Sequence, residues 1–379
     1  MPTEPTHYCE GQAQLVLGSG FFRPESRPSR DLGVLLLRWL TAQRDEQGGA
    51  AVLDGMAGCG IRALRYGREG GADEVWANDA DPQRLPLLEA NLAPLGLRSG
   101  ALHCSASTIE KLLASCVLQE RRFDLVDLDG FGAPIPFLPL AVEAVRFGGI
   151  LYLASSDGRS FTGHDRTAAL RRLGAAARAQ PCSWELALRL QLGLIARVAW
   201  GMGRGIRPLL SFSEGRTFRC AVQVLRHPAA AEERLLGLQA YCHRCGSHRG
   251  TSMLQLKDLE RCGCGAQTVL SGPLWRGPLQ EVDVLGQLQV IAAGIDPTST
   301  TRPSLKLLQR LAADDGLPPE ASAVADLARQ LGGGPPPLAL LLQQLRLRGW
   351  RAQASGIAPA QFRSDAPWDE VVREGAKAR

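Results

Sequence analysis

The chain has 379 residues, of which 45% are hydrophobic and 21% charged, so two globular domains of ordinary size are expected, each with an apolar core. The net charge of +5 is unevenly spread: residues 146–226 hold 13 arginines against 4 acids, whereas residues 1–145 sum to −6. A basic segment beside an acidic half suggests contact with a nucleic-acid backbone, with a solvated helix face as the equal alternative from charge alone. Leu32–Leu40 is apolar but short and flanked by Arg30 and Arg38, so neither a membrane span nor a signal peptide is expected, and the expected location is the cytoplasm. The arginine bias, 39 of 43 basic residues, is also what a genome of skewed composition would give.

At the N-terminus, Phe21–Pro24 reads F-F-R-P and is not helical, while Leu32–Leu40 is amphipathic, with Ser29 as its expected cap. The stretch Val52–Arg65, V-L-D-G-M-A-G-C-G-I-R-A-L-R, is an apolar run ending in Asp54, then a turn with Gly55, Gly58 and Gly60, then a helical pattern. Strand, tight turn and helix begin a doubly wound α/β sheet, and the glycines let a ligand approach the backbone. Asp54 is placed to fix the turn or to hold a cofactor. The next strand, within Glu74–Pro82, ends in Asn78 and Asp79; Asp79 lies 24 residues past Gly55, where such folds place an acid on a ribose. The absence of a Lys-Ser or Lys-Thr pair closing the turn disfavours a nucleoside triphosphate. An acid directly before the glycines suits S-adenosylmethionine better than a dinucleotide, whose pyrophosphate it would repel.

Alternation continues with a helix over Pro86–Leu95, a strand over Ala101–Ala106, a helix over Ile109–Val117, and a strand over Phe123–Asp127. A helix over Pro139–Phe147 and a strand over Gly149–Ser155 follow, which predicts a mainly parallel sheet with ligands at the carboxyl ends of its strands. The loop D-L-D-G-F-G-A-P, Asp127–Pro134, stands at such an end. The lone pair of an exocyclic base amine is delocalised into the ring. A carboxylate and a carbonyl accepting its N–H bonds would localise that pair, the carboxylate would take the proton, and an aromatic ring would stack on the base. Asp129 and Phe131 are the candidates, with Asp127 competing for the acid's role. Trp184–Trp200 is a long helix, Pro208–Ser213 and Arg219–Leu225 are strands, and the composition changes near His227–Glu233. The predicted domains are therefore 1–226 and 227–379.

The second part holds Cys242-x-x-Cys245 and Cys262-x-Cys264, 16 residues apart. Four thiolates in two short knuckles can close a tetrahedron around zinc with no position left for water, which predicts a structural Zn2+ site. The other cysteines are expected in packing roles. Ser271–Leu279, with two Gly-Pro steps around Trp275, reads as a rigid irregular loop. Helices are expected over Leu305–Asp314, Ala321–Leu331 and Pro337–Gly349, and with a following strand they suggest a winged-helix-like arrangement. No internal repeat is evident.

Together these segments resemble the tRNA guanine-26 N2-dimethyltransferase family over nearly the whole chain. F-F-R-P…S-R-D-L is similar to the family's F-Y-N-P…N-R-D-L. L-D-G-M-A-G-C-G-I-R-A-L-R-Y and W-A-N-D resemble its cofactor motifs, D-L-D-G-F-G-A-P-I-P-F-L its D-I-D-P-F-G-S-P-x-x-F-L. The stretches I-R-P-L-L-S-F-S and G-P-L-W-R-G-P-L also match. The resemblance implies a Rossmann-like methyltransferase domain with a smaller zinc-containing α+β C-terminal domain, and N2-methylation of a tRNA guanosine with S-adenosylmethionine as donor. It implies that Arg30, Arg62, Asp79, Ser105 and Ala106, with Asp54 and Gly58 of the glycine turn, line the cofactor pocket, that Asp129 accepts from the amine, and that Phe131 and Phe21 sandwich the base.

The chain departs from the pattern at Gly130, where the family has Pro, and at Ser29, Ser105, Arg216-Thr217-Phe218 and Gly356-Ile357. A tRNA-binding protein with a degenerate catalytic loop, and a methyltransferase for another RNA or a small molecule, are the alternatives; the cysteine module and the arginine segment argue against a small substrate. Arg189, Arg197, Arg204, Arg207, Arg216 and Arg219 are the expected tRNA contacts. No membrane and no obligate protein partner is expected.

Overall fold

The computed structural model describes residues 6–43, 49–313 and 316–379. The described chain opens with a hairpin, β1 (His7–Glu10) and β2 (Ala13–Val16), turned at Gly11 (φ 57°). The hairpin has no counterpart in the sequence reading, because each strand is only four residues long. Helix α1 (Arg27–Ala42) follows a short 3-10 turn at Pro24–Ser26. Ser29 is not its cap: it lies inside the first turn, fully buried, and its hydroxyl donates to the Ser26 carbonyl at 2.7 Å. The helix therefore starts earlier than its apolar stripe, since Pro28 is tolerated in a first turn.

The alternation then runs β3 (Ala50–Asp54), α2 (Ile61–Arg68), β4 (Ala72–Asp79), α3 (Leu85–Leu92), β5 (Leu102–Ala106), α4 (Ile109–Leu118), β6 (Phe123–Leu128), α5 (Leu138–Ala144) and β7 (Val145–Ser155). Val145–Phe147 extends β7 instead of ending the preceding helix, so the helix expected over Pro139–Phe147 is three residues too long there. Short α6 (Gly158–Phe161) and α7 (Arg166–Leu173), the long α8 (Ser183–Gly201), and the strands β8 (Gly205–Glu214) and β9 (Thr217–Leu225) complete this part. Its seven strands are ordered β5-β4-β3-β6-β7-β9-β8, the first five parallel and the last two antiparallel. Every residue of β3 and β6 is buried, as expected of central parallel strands covered on both faces, and the aspartates among them, Asp54, Asp124 and Asp127, are buried with them. The chain leaves β3 towards β5 and returns to β6, so the crevice at the carboxyl ends of β3 and β6 is the switch point where such sheets take ligands.

The second part begins with an antiparallel sheet of β10 (Leu236–Tyr241), β11 (His248–Ser252) and β12 (Val269–Trp275). Ser271–Trp275 is thus strand and not irregular loop; it pairs with β10 and carries a cis Gly272–Pro273 bond. Helix α9 (Val282–Gly294) was not anticipated, and α10 (Arg302–Ala312) ends two residues before Asp314, which lies outside the described residues. Then come β13 (Ser322–Ala323), α11 (Val324–Leu331), α12 (Leu338–Leu347), β14 (Ala352–Ala354), β15 (Gln361–Ser364) and α13 (Trp368–Lys377). A helix, a short strand, two helices and a hairpin whose strands share one sheet, ordered β13-β15-β14, make the winged-helix-like succession expected.

Apolar packing joins the two parts. A single cluster extends from Ala13 through the parallel sheet to Trp275, Leu285 and Leu308, because α9 and α10 return to cover α1. A smaller cluster around Leu327, Leu341, Leu345 and Phe362 holds the last helices and hairpin together. Beneath α1, the fully buried Arg65 donates to Glu10 (2.8 Å), Asp31 (2.6 Å), Glu69 (2.8 Å) and the Ser299 carbonyl (2.6 Å). Such a network ties the hairpin, α1, α2 and residue 299 together, since separating any partner would strand a buried charge.

The arginine-rich segment mostly serves the fold. Arg189 is buried against Glu185 and the carbonyls of Trp275 and Gly277, and Arg204 against the Val142 carbonyl and Glu143. Arg197 donates to Leu173 and Gly193 carbonyls, Arg207 to Glu281, and Arg219 to Asp129 and Glu214. Of the six arginines expected to face RNA, only Arg216 is exposed without a partner among the described residues. Charge counting cannot tell an arginine spent on a carboxylate from one left to solvent; in this segment Arg159, Arg166, Arg171 and Arg216 are exposed and have no carboxylate partner among the described residues.

Candidate active site

A cavity of about 730 Å³ opens at the switch point, walled by the glycine turn, the end of β4, the Phe21–Arg23 segment and the loop after β6. Asp54 does not line it. That carboxylate is fully buried beneath the turn, where its Oδ2 accepts from the Ala63 amide at 3.1 Å and so pins the first turn of α2. Burial, with Asp127 beside it, pushes Asp54 up to about 8. Of the two roles open to Asp54 from sequence, the structure gives it the turn and not the ligand.

Gly58 adopts φ 57°, and a Cβ there would meet nothing within 4 Å, so its open side faces the cavity. Its amide donates to Asp79 Oδ2 at 2.9 Å, while Oδ1 accepts from the Asp81 amide at 3.0 Å. Asp79 remains on the cavity wall. Ser105 and Ala106 do not: the Ser105 hydroxyl donates to Asn78 Oδ1 at 2.8 Å, and the wall beside them is made by Thr108, Ile109 and Glu110. The expectation of a third-strand ligand pair is corrected to the turn that follows the strand. Asn78 stitches this corner, donating to the carbonyls of Gly55 (3.1 Å) and Ser107 (2.9 Å). Arg30 lines the cavity with its guanidinium clamped on Glu10 at 2.8 and 2.6 Å.

Asp129 sits at the mouth. Its Oδ2 accepts from Arg62 Nη2 at 2.7 Å and from Arg219 Nη2 at 2.5 Å; its Oδ1 has no partner among the described residues. Burial alone would raise this carboxyl, but Arg219 first and Arg62 second hold it well below the usual carboxylate range. Asp127, two residues upstream, is fully buried and outside the cavity wall; it accepts from Tyr66 (2.5 Å) and Arg62 (3.2 Å), and burial raises its carboxyl. The two acids thus diverge: one is an open anion, the other is sealed under it.

The loop carrying Asp129 is held in spite of Gly130. A Cβ at Gly130 would fall 2.2 Å from the Met56 sulfur, so Met56 occupies the space that a proline ring would need. Beyond it, the Gly132 amide donates to Ser156 Oγ at 2.7 Å, and the Gly132 carbonyl accepts from the Ser155 hydroxyl and the Ser156 amide, each at 3.0 Å. Phe21 and Phe131 flank the mouth, 67% and 81% exposed, with ring centroids 5.3 Å apart and planes at 67°. A base stacked between them would need about 7 Å, so the rings touch edge to face and must part by about 2 Å to form a sandwich.

Away from this cavity, Cys242, Cys245, Cys262 and Cys264 bring their four sulfurs within 4.8 Å of one another. Each pair sits in a tight knuckle: Gly246 N donates to the Cys242 carbonyl at 2.8 Å and Gly265 N to the Cys262 carbonyl at 2.9 Å, both glycines with positive φ. The closest sulfur pairs, 3.4 and 3.6 Å, are near the edge of about 3.8 Å expected of a tetrahedron with 2.3 Å metal–sulfur bonds. The cluster can hold a metal ion.

A family model described as N2,N2-dimethylguanosine tRNA methyltransferase matches residues 12–374. The chain belongs to this family. It is 31% identical over 354 residues to the tRNA (guanine(26)-N(2))-dimethyltransferase of Pyrobaculum neutrophilum, covering 93% of this chain and 91% of that protein. To the protein of the same name from Methanocorpusculum labreanum it is 29% identical, covering 96% and 90%. Its fold is that of Trm1 from Pyrococcus horikoshii, solved as a complex with S-adenosyl-L-methionine, with a TM-score of 0.84 at 23% identity, covering 97% of this chain and 99% of that one.

Set against the family motifs, Arg30, Gly58, Arg62, Asp79, Asp129, Phe131 and Phe21 come together on one cavity, and Asp54, Ser105 and Ala106 stand behind it. The sequence reading missed Arg219 as a wall residue and the clamp of Glu10 on Arg30. A signal for Arg219 existed: it is the one charge in an otherwise apolar strand, T-F-R-C-A-V-Q-V-L. Nothing local announces the clamp of Glu10, whose arginine partners are 20 and 55 residues away.

Proposed function

We propose that this protein methylates the exocyclic N2 of a guanosine in tRNA, at position 26 and through to the dimethyl product, with S-adenosylmethionine as donor. The reading rests on one observation above all: the free Oδ1 of Asp129, on a carboxylate held as an anion, faces the cavity shaped by the family's cofactor motifs. S-adenosylmethionine would supply an electrophilic methyl group on a sulfonium. Asp79 would take its ribose hydroxyls, the open face of Gly58 would let its body lie against the backbone, and Arg30 and Arg62 would stand nearest its carboxylate.

Asp129 Oδ1 and the Gly130 carbonyl, which accepts no hydrogen bond among the described residues, would take the two N–H bonds of the guanine amine. Held there, the nitrogen lone pair would be turned towards the bound donor, whose sulfonium would give up its methyl group to the amine, and the amine proton would leave to solvent. An anion beside the nitrogen stabilises the positive charge that develops on it. Arg62 and Arg219 keep Asp129 a weak base, so its main part would be to orient the amine, with the proton going to solvent. In-line transfer depends chiefly on positioning, which is what the tethered loop provides. Phe21 and Phe131 would part and stack on the base.

We read the four-cysteine cluster as a structural zinc site, since four protein thiolates leave no open coordination position. Residues 1–226 would form the catalytic unit and 227–379 the metal-holding unit that helps carry tRNA, in the cytoplasm. Incubation with unmodified tRNA and S-adenosylmethionine, followed by mass mapping of the digested RNA, should show N2-methylated and N2,N2-dimethylated guanosine at position 26. Cofactor binding with no methyl incorporation would reject the reading.

A further inference from the structure

Beside the active-site cavity lies a second one of about 620 Å³, sharing Arg23 and Ser26 with the first. Its far wall is α10, which contributes Pro303, Lys306, Leu307 and Arg310. Leu308 and Leu311 bury the other face of this helix in the core, so the basic face is fixed outward. Arg302, Lys306 and Arg310 are all exposed, recur at every fourth residue, and have no carboxylate partner among the described residues; Arg23 is likewise exposed and unpaired. Like charges at this spacing destabilise a helix by a few tenths of a kcal/mol per pair, about what an opposite pair would contribute. Among the described residues no acid on the helix offsets them. Two carboxylates reach the cavity: Glu214, already engaged with Arg219 and the Ser29 amide, and Glu25, exposed at the rim.

We propose that this second cavity and the α10 stripe bind the ribose-phosphate backbone of the tRNA strand adjoining the methylated guanosine. The inference rests on the function proposed above. Successive charges on α10 rise by about 6 Å per step, the order of the spacing between neighbouring phosphates of an RNA strand. Arg23, shared by both cavities, marks the point where the strand passes from the flipped nucleotide to its neighbour. Glu25 accepts from a 2′-hydroxyl, a group RNA offers and DNA lacks. The docking surface so proposed lies on α10 and the Arg23 segment, outside the arginine-rich segment that charge alone pointed to.

The test compares Lys306→Glu/Arg310→Glu with the charge-preserving Lys306→Arg/Arg310→Lys in the full-length protein, using unmodified tRNA transcript. For the reversed-charge variant the KM for tRNA should rise at least about tenfold. The slope of log K against log salt should flatten by about 1.4 to 1.8, as expected for two lost phosphate contacts. Its affinity for S-adenosylmethionine, by calorimetry, should stay at the wild-type value, which shows that the fold survives. The charge-preserving variant should keep the wild-type slope. If the wild type methylates tRNA while the reversed-charge variant keeps its KM and slope, this inference is overturned and the proposed function stands. A wild type that binds the cofactor but neither binds nor methylates tRNA would overturn both.

Discussion

Arg219 Nη2 lies 2.5 Å from Asp129 Oδ2, so strand β9 reaches across β7 to hold the loop that follows β6. Arg62 approaches the same oxygen from α2 at 2.7 Å. Two guanidiniums on one oxygen leave the other oxygen free and keep the group ionised. Asp129→Asn keeps size and shape but loses the anion. Methyl transfer should fall by about 10²-fold or more, the scale of removing one electrostatic contact to a transition state. Affinities for tRNA and S-adenosylmethionine should change little. Asp127→Asn should instead lower stability, because Asp127 is sealed between Tyr66 and Arg62. Near wild-type turnover in the Asp129 variant would remove the amine-orienting role from the loop.

Arg219 sets the acid limb of the rate profile. With the guanidinium present, Asp129 is held below the usual carboxylate range, so acid must go far before the anion is lost. Replacing Arg219 with Gln removes the larger of the two cationic effects and raises the carboxyl. The expected result is an acid limb of kcat/KM displaced to higher pH, with rescue towards the wild-type profile in Arg219→Lys. A profile identical to wild type would show that Arg219 acts only as packing.

Asp54 affects stability with the opposite sign to a paired surface acid. Its carboxyl is pushed up to about 8 by burial and by Asp127, against about 3.9 in an unfolded chain. The folded state then keeps a proton that the unfolded state has lost. This contribution is full below about pH 3.9 and declines as pH rises to about 8. Asp54→Asn cannot ionise and should escape the decline, so its stability relative to wild type should increase from pH 5 to pH 8. Urea unfolding at the two pH values measures this; an equal offset at both would contradict the assignment.

The Asp79 carboxylate lies on the cavity wall and accepts from the Gly58 and Asp81 amides. Asp79→Ala should weaken S-adenosylmethionine binding by about 1.5–3 kcal/mol, the range for hydrogen bonds to a charged group, or roughly 10- to 150-fold. Calorimetric titration decides it, and an unchanged dissociation constant would move the ribose elsewhere.

Cys264→Ser, or prolonged chelation of the wild type, should release about one zinc per chain, since three thiolates no longer close the site. The knuckle holds α13 through the Trp368 indole, which donates to the Cys245 carbonyl at 2.7 Å, so protease cleavage should rise first in residues 242–379. Metal analysis of the purified wild type that finds no zinc would refute the proposed site.

The strand-turn-helix alternation, the glycine turn and the two cysteine knuckles were legible in the amino-acid sequence because their causes are local. Residues 52–65 alternate in a way that admits few backbone paths, Gly58 needs positive φ, and two or three residues suffice to close a knuckle. Errors clustered where a local signal was overridden by a distant partner. Val145–Phe147 followed the sheet and not the helix, and the Gly272-Pro273 step was drawn into a strand by pairing with β10. The sequence alone determined which residue types stand at the switch point. Only tertiary structure decided what each does: Asp54 and Asp127 became buried acids, Asp129 a half-buried anion at the mouth of the cavity, and Arg219 its holder. Proton affinity and the freedom of an arginine are set by charges within a few ångströms, and folding brings those to Asp129 from residues 67 and 90 positions away.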